Sequence, residues 1–303
     1  MRVIITGLPL FSKRMAEDLN EFTNSKQFIY LNTYYSKWDQ FKFICLLPFV
    51  SGVFTMNGVT SKSGVLDVVC LFKKKLWMQW MGTDVLLALE RHKEKKIYPK
   101  YIKYACHWTD TTWMQAELES ISIHTKLIDY KYLSTQLNEL NKYSKIEVCS
   151  YIPQDKQAFY GMQYLVEMAK AFPEVDFHVY GTKNSDYALT NNVHCYSWQP
   201  EEVLHKKMNE SAVFLRLTKH DGYSVSVIEA MSLGCEVLAI YPFEKAHVVT
   251  QETYLSTFAK VIQEVKDREL TPNVNIKTYY RQRFKKDNVL ANMYNELKNY
   301  FGK

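Results

Sequence analysis

Only ten of the 303 residues are glycine, and no two of them form a Gly-x-Gly pair. Without that pair the chain lacks the phosphate-binding turn of redox Rossmann enzymes. A Walker-type phosphate loop is missing too. The six cysteines (Cys45, Cys70, Cys106, Cys149, Cys195, Cys235) are scattered with no Cys-x-x-Cys pair. Neither a zinc site nor a disulfide framework is implied, and the plain expectation is buried free thiols in a reducing cytoplasm. No apolar run approaches the length that spans a bilayer. The best candidate, Phe43 to Phe54, is broken by Pro48, Ser51 and Gly52 and reads as helix, loop and strand inside a globular core. The opening Met1–Gly7 segment reads as a first β-strand rather than a signal peptide, because Gly7 and Pro9 interrupt it and no small-residue cleavage site follows.

What is present suits a soluble protein of two ordinary domains: 47% apolar, 23% charged and 15% aromatic residues. The net charge of +6 is uneven. Residues 1–145 carry 20 Lys/Arg against 13 Asp/Glu, whereas residues 146–303 carry 18 against 19. The excess includes Lys73-Lys74-Lys75 and the run Arg91, Lys93, Lys95, Lys96, Lys100, Lys103. Solvated helix faces account for each cluster singly. Taken together they also fit an anionic membrane surface, and nucleic acid is not expected as a partner.

Strand-like and helix-like segments alternate along the whole chain. Val3–Thr6, Phe28–Leu31, Gly52–Met56 and Leu76–Trp80 read as strands, with helices at Phe11–Phe22, Lys37–Leu47 and Ser61–Lys74 between them. The series restarts after a polar stretch, Ser134 to Lys145. There Ile146–Tyr151, Asp176–Tyr180 and Ala212–Leu217 read as strands, with helices at Gly161–Phe172 and Glu201–Glu210. Repeated β-α-β units predict an α/β protein of two Rossmann-like domains, with parallel sheets facing across a cleft. The expected boundaries are 1–145, 146–285 and a last helical segment, 286–303. Ligands of such sheets bind beyond the strands' carboxyl ends, where strand order reverses.

Residues 212–241, AVFLRLTKHDGYSVSVIEAMSLGCEVLAIY, carry the chemistry. A buried strand leads to the polar turn Lys219-His220-Asp221-Gly222, and Ser224 stands at the N-cap position of a helix starting at Val225. Val225, Val227, Ile228, Ala230, Met231 and Leu233 surround that helix, so it must be largely buried. Glu229 then needs a partner, either a structural donor or a ligand hydroxyl. The backbone N–H groups near Ser224 form a natural phosphate site. Asp221 on the delivering loop and Glu229 in the helix suit a polyhydroxylated ligand attached to phosphate.

The segment Asp221 to Met231, with Gly234 after it, resembles the E-x7-E segment of retaining GT-B glycosyltransferases, glycosyltransferase family 4 above all. Weaker likenesses lie at Gln79–Val85, at Phe159-Tyr160-Gly161, at Phe177–Gly181, and at Asn288–Phe301, which resembles the terminal helix crossing back to the first domain. The resemblance implies sugar contact for Asp221 and ribose contact for Glu229. It sets the turn Gly222-Tyr223-Ser224 against a diphosphate, with Gly181 nearby. The acceptor side would include Gly7, Gly82, Thr83 and Asp84. It implies no metal and no cofactor, only a UDP- or GDP-linked sugar as donor and a saccharide or lipid-linked acceptor. The absence of any Asp-x-Asp agrees, since metal-dependent GT-A transferases use that pair.

Three departures qualify the resemblance. Asp221 replaces the commoner glutamate, and Met81 replaces a histidine near the reacting sugar. Tyr160 stands in the usual place of a diphosphate-gripping lysine, so Lys156, Arg216 and Lys219 become the candidate cations. His220 either donates to a sugar hydroxyl or phosphate or caps nearby backbone, and Trp198 reads as a core or lid aromatic or as a neighbour of the base. The expectation is therefore a retaining hexosyltransferase of polysaccharide or glycolipid biosynthesis, cytoplasmic or peripheral at the inner face of the cell membrane. A non-catalytic partner subunit and a nucleotide-sugar epimerase of the same fold are the alternatives.

Overall fold

The computed structural model describes residues 1–133 and 140–302. Residues 134–139 of the polar stretch expected to separate the domains lie outside the described residues. Two compact units emerge, one of residues 1–130 with 286–303 and the other of residues 131–285.

In the first unit the strands are β1 Val3–Gly7, β2 Phe28–Tyr30, β3 Gly52–Met56, β4 Lys75–Gln79, β5 Cys106–Thr109 and β6 Lys126–Leu127. All pair in parallel in the order β2-β1-β3-β4-β5-β6. Parallel strands need helical crossovers that cover both sheet faces, which is why β1 and β3 are buried along their full length. The crossovers are α1 Pro9–Phe22, α2 Lys37–Leu46, α3 Gly64–Leu71, α4 Thr83–Lys93, α5 Pro99–Tyr104 and α6 Thr112–Glu119. Local chemistry sets several starts: the hydroxyls of Ser36, Ser63 and Thr111 accept first-turn N–H bonds of α2, α3 and α6. Such caps contribute about 1 kcal/mol each.

The second unit repeats the scheme with β7 Glu147–Tyr151, β8 Asp176–Tyr180, β9 Val193–Tyr196, β10 Val213–Arg216, β11 Glu236–Ala239 and β12 His247–Val248. Their order is β12-β11-β10-β7-β8-β9, again all parallel. Helices α7 Met162–Ala171, α8 Glu201–Glu210, α9 Val225–Leu233, α10 Tyr254–Asp267 and α11 Val274–Arg283 flank the sheet. The last helix, α12 Lys286–Phe301, belongs to the first unit. Lys286 bonds Asp18 at 2.6 Å, Glu296 takes Lys126 at 2.6 Å, and the Phe301 ring stacks on Trp77.

Two expectations need correction. Only Cys149 and Cys235 are buried; Cys45 is exposed and the other three are half-buried. Nor does the Phe43–Phe54 segment lie wholly in a core. Phe43, Leu47 and Val50 do, but Ile44, Cys45 and Phe49 point outward, because a helix on one sheet face can bury only one side. Among the described residues no helix is long and apolar enough to cross a membrane.

Candidate functional site

Strand order in the second sheet reverses between β7 and β10, so the crevice beyond their carboxyl ends is where such a fold receives a ligand. The loops that leave the two strands are tied together there. Lys219 N–H donates to the Phe159 carbonyl at 2.9 Å. Gly161, in the left-handed region at φ +80°, lies so close to Leu217 that a Cβ would stand 2.4 Å from its carbonyl oxygen. A side chain there would push the loops apart.

Arg216 ends β10, and its Nε donates to Asp221 Oδ2 at 2.6 Å. Thr218 Oγ1 makes a weak donation to the same oxygen at 3.5 Å. The guanidinium lies 4.9 Å from the centre of the Tyr160 ring. Both members of the pair are largely withdrawn from water, with side-chain exposures of 10% for Arg216 and 16% for Asp221. Burial opposes the Arg216 charge, but the Asp221 carboxylate outweighs it and holds the guanidinium's pKa above its ordinary value. The structure thus joins two residues that the sequence singled out separately, and adds Tyr160 beneath them.

Helix α9 is buried from Val227 to Leu233, as its composition requires. Ser224 occupies the N-cap position but makes no capping bond; its hydroxyl pairs with that of Ser226 at 2.9 Å. The first-turn N–H groups of α9 are therefore not claimed by the cap side chain. Tyr223 turns inward, buried, with its hydroxyl on Glu244 Oε2 at 2.5 Å and on the Tyr280 hydroxyl at 3.0 Å. Only its backbone can serve a ligand at the turn.

Glu229 has a structural partner that the sequence reading missed. His205 Nε2 on α8 lies 3.1 Å from Glu229 Oε1 and 3.6 Å from Glu201 Oε1. Burial disfavours a charged imidazole, but the adjacent Glu229 carboxylate and the charge of Glu201 outweigh it and raise the pKa of His205. The i, i+4 spacing of Glu201 and His205 on a helix was the available signal. Their ligand atoms and that of Glu229 lie within 4.8 Å of one another, a donor set that could also take a divalent ion.

The other predicted residues are more dispersed. His220 is buried, with its ring edge-on to Tyr241 at 5.7 Å. Lys219 and Lys156 are exposed. Gly181 closes β8 where a Cβ would meet the Ile152 carbonyl at 2.8 Å, so close backbone approach explains it. Trp198 is exposed and is not a core residue.

In the first unit, strand order reverses between β1 and β3. A cavity of about 600 Å³ opens there, lined by Thr6, Gly7, Thr33, Thr55 and Asn57 and walled by α2 and α3. Of the predicted acceptor-side residues only Gly7 lines it. Thr83 is exposed, and the Asp84 carboxylate is taken by the N–H groups of Gly58, Met81, Gly82 and Val85 at 2.5 to 3.0 Å. Burial pushes Asp84 up despite these four donors. Its visible work is to fasten the loops after β3 and β4.

No protein-family model matches the chain, and no curated protein matches it in sequence. Solved structures do. Sucrose-phosphate synthase from Thermosynechococcus elongatus superposes with a TM-score of 0.69 at 12% identity, covering 100% of both chains. The lipopolysaccharide outer core galactosyltransferase WaaB gives 0.67 at 12% identity over 99% of each chain. The pneumococcal O-GlcNAc transferase GtfA, solved with UDP and GlcNAc, gives 0.60 at 12% identity over 86% of this chain. This chain spans 60% of that protein's length. Two six-stranded parallel sheets with flanking helices, together with these superpositions, make the fold that of the GT-B glycosyltransferases.

Proposed function

We propose that the protein is a retaining glycosyltransferase that moves a hexose-type sugar from a UDP- or GDP-linked donor to a saccharide or lipid-linked acceptor. The observation that carries this reading is the Arg216–Asp221 pair on Tyr160, set at the switch point after β10 beside the N-terminus of α9. A diphosphate seated against that helix start would meet the first-turn N–H groups and the Arg216 guanidinium, a fixed positive environment. Tyr160 replaces the lysine expected on the β7 side. In this reading Arg216 supplies the charge from the β10 side instead, with the aromatic ring holding its plane.

Glu229 then receives the ribose hydroxyls, with His205 at 3.1 Å aiming the carboxylate. Asp221 contacts the donor sugar, and His220, Lys219 and Lys156 complete the anionic end. The hydroxyl-lined cavity of the first unit takes the acceptor. Its hydroxyl attacks from the face that the leaving diphosphate vacates, and the diphosphate helps to accept the proton. The protein's contribution is position and charge stabilisation. The basic first half of the chain fits work at an anionic membrane surface.

The test is calorimetric titration with UDP, GDP and their common sugar conjugates, on the wild type and on Glu229→Ala. Micromolar binding of one nucleotide, weakened at least tenfold in the variant, supports the donor site. Product with inverted anomeric configuration would overturn the mechanism. Binding to none of these nucleotides would favour a non-catalytic subunit, with which Met81 in place of the histidine also agrees.

A further inference from the structure

Helix α2, KWDQFKFICL, is apolar on two sides, and the protein buries only one of them. Phe43 enters the core with Leu47, whereas Trp38, Phe41, Ile44 and Cys45 face out at positions i, i+3, i+6 and i+7. Trp38 is 63% exposed, Phe41 57% and Ile44 47%, and the turn after the helix presents Phe49 at 74%. The Trp38 and Phe41 rings stack on one another at 5.6 Å. An outward stripe of this kind needs an occupant, because single exposed apolar residues are ordinary but a helical row is not.

The charges around it indicate the occupant. Lys37 and Lys42 are exposed on the same helix, and the Lys42 ammonium lies 5.4 Å from the Trp38 ring centre. Lys74 reaches the turn beneath Phe49, donating to the Pro48 and Val50 carbonyls at 2.9 Å each. Just before it, Leu71 and Phe72 are exposed and are followed by the exposed Lys73. Aromatic and aliphatic tips ringed by lysines match an anionic lipid surface, with rings at headgroup depth and ammonium groups on the phosphates. A protein partner would more often meet an apolar centre depleted of lysine.

We infer that α2, with the turn at Phe49 and the Leu71–Lys74 segment, is the element through which this protein docks on an anionic bilayer. This rests on the glycosyltransferase reading only for its purpose. Ile44 belongs both to the outward stripe and to the lining of the 600 Å³ cavity, so docking brings that cavity to the lipid surface. A lipid-linked acceptor could then enter without leaving the bilayer.

The experiment is co-sedimentation of the full chain with phosphatidylcholine vesicles containing 0 or about 30% phosphatidylglycerol, a composition that tests the charge dependence directly. Variants are Trp38→Ser/Phe41→Ser and Lys37→Glu/Lys42→Glu, all at exposed positions where folding is little affected. The expected result is binding to the anionic vesicles only, lowered at least tenfold by the Ser pair. The Glu pair should lower it by about fivefold or more per lysine. Nucleotide binding should be unchanged in both. Wild-type binding that survives both pairs would place docking elsewhere and overturn the inference while leaving membrane association standing. No vesicle binding, together with a dimer in light scattering that the Ser pair dissolves, would make the stripe a protein interface. No vesicle binding and no dimer would remove docking altogether, and calorimetry would still decide the donor site.

Discussion

If the Arg216–Asp221 pair is what shapes the crevice, a double-mutant cycle must show it as a large coupling. Removing one partner of a buried ion pair costs about 3–5 kcal/mol, because the other charge stays stranded. Here the side chains keep 10% and 16% of their exposure, so the lower end applies, about 3 kcal/mol for Arg216→Met. That variant also loses the stack on Tyr160, worth about 1 kcal/mol, partly offset by the apolar stem of methionine. Asp221→Asn keeps the stack and leaves an amide oxygen to accept from Arg216, so it should cost less, about 2 kcal/mol. The double variant strands no charge. Its cost should stay near 3 kcal/mol rather than the sum of about 5, which is a coupling of about 2 kcal/mol. The assay is urea unfolding by circular dichroism of all four proteins, with nucleotide titration alongside. A coupling below about 0.5 kcal/mol would mean that the pair is not held in solution, and the assignment of Arg216 to the diphosphate would lose its basis.

Three further predictions concern the same unit. Replacing His205 by alanine leaves Glu229 without its 3.1 Å partner, and should cost about 2 kcal/mol of stability and weaken nucleotide binding several-fold. Chelator should leave wild-type nucleotide affinity unchanged; a loss on chelation would instead mean that Glu201, His205 and Glu229 hold an ion. At the start of β11, burial pushes the Glu236 carboxyl up, but His247, Asn273 and Arg268 outweigh it, so its pKa is lowered. The stabilisation from a depressed carboxyl is present above the unfolded value of about 4.3 and fades as pH falls through the folded one. Glu236→Gln should therefore cost about 3 kcal/mol at pH 7, and this difference from wild type should shrink in urea titrations at increasingly acidic pH.

The order of elements was legible because parallel sheets write themselves plainly: short apolar runs alternating with helical periods leave few other architectures. Helix α9 was legible for a related reason. A helix apolar on every side must be buried, so its one glutamate had to find a partner. What that partner was could not be read. His205 sits 24 positions earlier on another helix, and only the crossover topology brings α8 against α9. Arg216 and Asp221 were each visible as candidates, but their pairing depends on how the turn after β10 bends. Asp84 shows the opposite case. The likeness of Gln79–Val85 to a glycosyltransferase segment suggested an acceptor role, yet four backbone N–H groups claim its carboxylate. Periodicity reports burial and not which polar neighbour is met there.

The departure at Tyr160 gains a different meaning from the structure than from the sequence. In the sequence it looked like the loss of a cation. In the fold, the loops leaving β7 and β10 are fastened to each other, so a charge lost from one can be replaced from the other. Arg216 lies on the neighbouring strand with its guanidinium over the Tyr160 ring. A lysine at 160 would repel that guanidinium, so the two arrangements exclude one another. Tyrosine and arginine therefore have to be read as one exchange. On the proposed reading, Tyr160→Lys alone should weaken donor binding, and Tyr160→Lys combined with Arg216→Leu should recover part of it. A single substitution that improved binding would show that the crevice still lacks the charge that Arg216 is assigned to supply.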